Sequence, residues 1–278
     1  MKMTKTNPVP PRVGPAICFL AAGIALLAGC QTYDKTYDTV MGSGTGVTAT
    51  ASTRLTKSGF LSHYDRLKPS AGADGIECWR DERVDLKRFD KALFSRIVVT
   101  LAPPGKDETP PAAIDPVDLK ALTDYFHAAL VRSLQPQMAV VDQAGQGVIV
   151  IRIALTDLVP TSTLESAAGT LTPYGFVAEA GSGVATGRPA GSTPYLGETG
   201  IEVQFRDGGS GAILGECRDT RIGRKYAADV NASAVGAAQT WASGYLNSFQ
   251  SWAYARNAFD KWAQLLAKRF GELRGVAP

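Results

Sequence analysis

Apolar and polar positions alternate with period two along two stretches of this chain and with helical period along two others. From Val148 to Leu158, Ile149, Ile151, Ile153 and Leu155 fall on one face and Arg152 and Thr156 on the other, which predicts a strand. Ile201, Val203 and Phe205 alternate with Glu202, Gln204 and Arg206, predicting a second, half-buried strand. Asp207-Gly208-Gly209-Ser210-Gly211 then reads as a hairpin loop, and Ala212 to Arg218 as the returning strand. Leu93 to Leu101 is β-branched and apolar up to Pro103-Pro104, and Met138 to Val141 forms a short strand. Asp115-Pro116 supplies an N-cap and first-turn pair for a helix. Its apolar stripe is Leu119, Leu122, Phe126, Ala129, Leu130 and Leu134, and Pro136 ends it. The last helix carries Trp252, Ala255, Phe259, Trp262, Leu266, Phe270 and Leu273 on one face, with Arg256, Asp260, Lys261, Lys268 and Glu272 opposite. The order of elements predicts an α+β fold. It is a two-layer sandwich in which a mixed, mainly antiparallel sheet carries two amphipathic helices on one face.

The amino terminus follows a different pattern. Lys2, Lys5 and Arg12 precede an apolar run from Val13 to Leu27, too short for a stable span, and Leu27-Ala28-Gly29-Cys30 follows at once. This resembles a bacterial lipobox, so residues 1–29 are expected to be a lipoprotein signal peptide and Cys30 the site of lipid attachment. Residues 30–58 read as a lipid-anchored flexible tether: Thr32-Tyr33-Asp34 and Thr36-Tyr37-Asp38 lead into Gly42, Gly44 and Gly46. As a coil such a stretch spans roughly 25–30 Å. The domain is expected over 59–278, beginning at Gly59-Phe60-Leu61 and interrupted at about 160–197 by a Gly/Ala-rich insertion.

Charge narrows the choice of partners. The whole chain has 29 Lys and Arg against 26 Asp and Glu; without the leader's three basic residues the balance is neutral. No basic surplus supports nucleic-acid binding. The expected partners are therefore the membrane, through N-terminal acyl chains, and an envelope protein. Two acyl chains make stable what one leaves marginal. Gln31, in the place where many Gram-negative lipoproteins carry a retaining aspartate, directs the expectation to the outer membrane, facing the periplasm. In that oxidising compartment Cys78 and Cys217, left once Cys18 departs with the leader and Cys30 is acylated, are a candidate disulfide.

Several segments carry a resemblance. Gly59-Phe60-Leu61, Tyr64, Leu67, Trp79, Ile151-Arg152, Leu155-Thr156-Asp157-Leu158, Ile201-Glu202, Asp207 and Gly211 are similar to the uncharacterised bacterial lipoprotein family called domain of unknown function 3313. The resemblance covers about residues 59–270 and rests on the order of segments. It implies a periplasm-facing lipoprotein domain and supplies no catalytic residues.

Candidate chemistry is sparse. His63 and His127 are the two histidines, and Asp124 precedes His127 by one helical turn as an acid–base pair. Gly208-Gly209-Ser210-Gly211 is followed by Ala212 and lacks the final glycine of a nucleophile elbow. A Cys78–His pair competes with the disulfide. No zinc spacing, calcium loop or phosphate loop occurs, so neither metal nor cofactor is expected. Gly183, Gly187 and Gly191 are spaced like a helix-packing motif, but Arg188 and Pro189 make them a loop. The leading expectation is a lipid-anchored envelope protein acting as a non-catalytic binding or scaffold domain. The alternatives are a hydrolase-type enzyme assembled from distant residues and an oligomeric subunit of an envelope assembly.

Overall fold

The computed structural model describes residues 47–49, 55–70, 76–100, 114–164, 196–223, 246 and 250–275. The leader, Cys30, Gln31, the tether up to residue 46 and residues 165–195 of the insertion lie outside the described residues.

The described strands are β1 (Val47–Ala49), β2 (Lys68–Pro69), β3 (Glu77–Arg80), β4 (Lys91–Phe94), β5 (Val98–Val99), β6 (Ala139–Val140), β7 (Val148–Val159), β8 (Glu198–Asp207) and β9 (Ile213–Gly223). They form one sheet in the order β2-β3-β9-β8-β7-β4-β6, with β1 pairing with β9 beyond β3 and β5 pairing with β7 beyond β4. β4 runs parallel to β6 and β7, β5 parallel to β7, and the remaining pairs are antiparallel. The two helices are α1 (Pro116–Leu134) and α2 (Ala253–Arg274).

The fold is α+β, and its centre is the meander β7-β8-β9 that the alternating residues predict. The Asp207 side chain accepts the Gly209 and Ser210 amides and ties the β8–β9 loop, where Gly211 at φ 74° takes the left-handed conformation that glycine adopts without a Cβ clash. Asp115 accepts the Val117 amide and starts α1 at Pro116. Ile149, Ile151, Ile153 and Leu155 of β7 join Leu122, Phe126, Leu130 and Leu134 of α1 and Phe259, Trp262 and Phe270 of α2 in one core, so both helices cover the same sheet face. Phe126 and Phe259 stack at a ring separation of 4.5 Å. Burying each such ring stabilises the fold by about 1.5–3 kcal/mol.

Several boundaries differ from the expectation, and the returning strand runs on past Arg218 to Gly223. The run from Leu93 is split between β4 and β5 by Ser95–Ile97, because Ser95 turns out of the ladder while its amide and hydroxyl still bond the Ile151 carbonyl. The fold also reaches into the expected tether. Val47–Ala49 pairs with Gly223, Ile222 and Arg221, and Leu55 is buried.

Candidate functional site

The register of β7, β8 and β9 sorts the site residues by face. Ile153, Val203 and Cys217 lie side by side on the helix-covered face, with Leu155, Ile201 and Asp219 in the next row. Arg152, Gln204 and Glu216 form a row on the opposite face, as do Ala154, Glu202 and Arg218.

That opposite face is buried, whereas the alternation predicts a half-exposed strand. Glu202 is 1% exposed and Gln204 and Glu216 are both fully buried. The cover is residues 55–67, laid across the polar rows, with Tyr64–Arg66 forming a short 3-10 turn. Glu216 accepts the backbone amides of Ser62 and His63, both at 2.8 Å, and the Gln204 side-chain amide at 2.6 Å. Glu202 accepts the Ser58 amide and the Tyr64 hydroxyl. The Tyr64 hydroxyl in turn accepts the Gly59 amide at 2.8 Å. Burial, then the Glu202 carboxylate, holds the Tyr64 phenol above its ordinary pKa. Phe60 sits against the Arg152 guanidinium, 5.0 Å from ring centre to carbon. The cover segment has few neighbours of its own with which to close a hydrogen-bonded ladder, and the sheet carboxylates supply the missing acceptors. Glycine, phenylalanine and tyrosine in Gly59-Phe60-Leu61 and Tyr64 are thus the parts of this clasp.

The helix-covered face holds a partly open cavity of about 300 Å³ between the two helices and strands β3, β9, β8 and β7. Its walls are overwhelmingly apolar: Ile153, Val203, Phe205, Leu214, Trp262, Leu266 and Phe270 contribute, and the Cys78–Cys217 disulfide forms part of the wall. That disulfide is present, its Cα atoms 4.1 Å apart at directly opposed positions of β3 and β9. The one carboxylate among the lining residues is Asp219. Its Oδ2 accepts the Arg221 Nε at 2.6 Å and the Trp262 Nε1 at 2.7 Å, while Oδ1 has no hydrogen-bond partner. Burial drives the Asp219 carboxyl above its ordinary pKa, against the pull of Arg221 and Trp262.

The histidines stand apart from one another. His127 is exposed on α1 with its ring edge-on to Phe94, and Asp124 pairs with Lys120 rather than with His127. His63 lies beside Trp79 at a ring separation of 5.5 Å, and its Nδ1 is 3.5 Å from Glu216. Glu216, already saturated by two amides and a glutamine, is a poor orienting group for a base. Both sulfurs are oxidised, so a Cys78–His pair is excluded. Among the described residues no three metal-ligating side chains gather, and no helix is long and apolar enough to cross a membrane. Sequence reasoning missed both the clasp carboxylates and Asp219. The signal for Asp219 was faint: Asp219 and Arg221 are charged residues at alternate positions, on the face that Cys217 shares.

Comparison with solved structures finds two dodecameric forms of PelC from Paraburkholderia phytofirmans. They are 12% and 13% identical to this chain, cover 63% of it and 98% of their own chains, and superpose with TM-scores of 0.29 and 0.27. That likeness is too distant to inform fold, assembly or function. No curated protein sequence matches. The sequence profile described as "Protein of unknown function (DUF3313)" matches residues 56–246, from the clasp through the meander and up to the approach to α2, and the chain belongs to that family.

Proposed function

We propose that this protein is a lipid-anchored, non-catalytic binding domain of the bacterial envelope, held at the periplasmic face of the outer membrane through Cys30. The observation that carries the binding role is the apolar cavity beneath α2, about 300 Å³ in volume and walled by the disulfide. Small-molecule sites are concave, mostly apolar and furnished with few polar groups, and this volume lies at the lower end of their usual range. The lipobox spacing supports the anchor, and an apolar ligand site is useful to a protein that works beside lipid.

A titration with the neutral apolar fluorophore N-phenyl-1-naphthylamine tests the reading. The wild-type domain is expected to enhance its fluorescence saturably, and Leu266→Trp, which fills the cavity, to abolish the enhancement. Val203→Phe fills the same space from the sheet side should Leu266→Trp fail to fold. Enhancement unchanged by a folded cavity-filling variant contradicts the proposal.

A further inference from the structure

The cavity is polarised along its length. Its inner end is marked by Asp219, 2% exposed, bonded through Oδ2 to Trp262. Its outer end is marked by Arg80, which is exposed and lies opposite Gly215 in the β3–β9 register. Arg269 belongs to the same end, because its neighbour Phe270 packs edge-on against Phe205, and Phe205 also lies opposite Gly215. From Gly215 to Asp219 the strand advances four residues, about 13 Å. From Trp262 to Arg269 the helix advances seven residues, about 10 Å. Both elements therefore place the arginine end roughly 10–13 Å along the cavity from the carboxylate end.

Between those ends the wall is Ile153, Val203, Leu214, Leu266 and the disulfide, with no other carboxylate among the lining residues. A buried carboxylate oxygen without a donor is costly. A ligand that brings a donor to Oδ1 recovers that cost. A purely aliphatic ligand does not.

Resting on the binding role proposed above, the geometry points to a single-chain anionic amphiphile with a distal hydroxyl as the ligand of this cavity. Its acid group lies at Arg80 and beside Arg269, whose Nη1 is already bonded to Glu272 Oε2 at 2.7 Å, its methylene chain against the apolar wall, and its hydroxyl donates to Asp219 Oδ1. The ligand class is an ω-hydroxylated medium-length acyl chain.

Calorimetry of the mature protein with 10-hydroxydecanoate, 3-hydroxydecanoate and decanoate tests the assignment. The expected result is that 10-hydroxydecanoate binds about tenfold more tightly than either of the others, as one hydrogen bond recovered at a buried acceptor supplies. Arg269→Ala should weaken all three alike, and Leu266→Trp should abolish them all. Equal affinity for the three, or a preference for 3-hydroxydecanoate, overturns the hydroxyl assignment while leaving the cavity as an acyl site. No binding of any of the three, by a folded protein, overturns the cavity reading itself.

Discussion

Glu216 shows how one side chain can hold a segment for which the fold offers no strand partner. Its carboxylate takes two backbone amides from Ser62 and His63 and the amide of Gln204. Removing it strands donors in a buried site, each costing about 1–3 kcal/mol. Glu216→Ala is therefore expected to lower the unfolding free energy by at least about 2 kcal/mol in urea titration, and to speed amide exchange at residues 62 and 63. A loss below about 0.5 kcal/mol, the level of an ordinary surface substitution, contradicts the clasp. Asp207 gives a pH-dependent case. The Ser210 amide foremost, then Gly209 and Arg88, hold its carboxyl below the ordinary value of 3.8. An acid whose folded pKa is lowered adds stability above its unfolded pKa and loses it as pH falls through the folded one. Asp207→Asn is thus expected to cost stability at pH 7. The gap to wild type should close below about pH 4, followed by acid titration of the unfolding midpoint.

At the level of elements, α1, α2 and the β7-β8-β9 meander were legible in the sequence for physical reasons. Asp115-Pro116 and Pro136 bracket α1 by capping and by the missing proline amide, and Ile149, Ile151, Ile153 and Leu155 of β7 repeat at period two. The outer face of β8 was not legible as buried. Glu202, Gln204 and Arg206 have the composition of a solvated row, and local pattern carries no record of a distant segment that lies over them. β1 escaped detection because Val47–Ala49 is three residues in a Gly/Ser/Thr context, given a strand conformation by pairing with β9. The cavity was equally hidden, since Trp262, Leu266 and Phe270 have ordinary core spacing; only tertiary packing leaves space beside them. The disulfide links β3 to β9 across a separation of 139 residues. By the loop-entropy argument, Cys78→Ser with Cys217→Ser should destabilise the domain by roughly 2–5 kcal/mol. Urea midpoints measured with and without reductant check this: wild type should fall to the level of the double variant only when reduced.

At the scale of the whole molecule, two proposals meet: an anchor at Cys30 and a ligand cavity in the domain. Cys30→Ser removes the thiol that takes the acyl group, so palmitate label is expected in the wild type and absent from the variant. Wild type should sediment with outer membranes in a density gradient. Label retained by the variant contradicts the lipobox reading. The clasp fastens residues 55–67, the part of the described chain that follows β1 in sequence, to Glu202 and Glu216. The central claim is that the apolar cavity is a filled binding site in the cell. Native mass spectrometry of the full-length protein, extracted from membranes in mild detergent, tests it most directly. The account predicts a non-covalent adduct with the mass of a single-chain amphiphile, released on denaturation and missing from folded Leu266→Trp. Wild-type protein that emerges without any such adduct, or an adduct that persists at the same level in the filled-cavity variant, would contradict it.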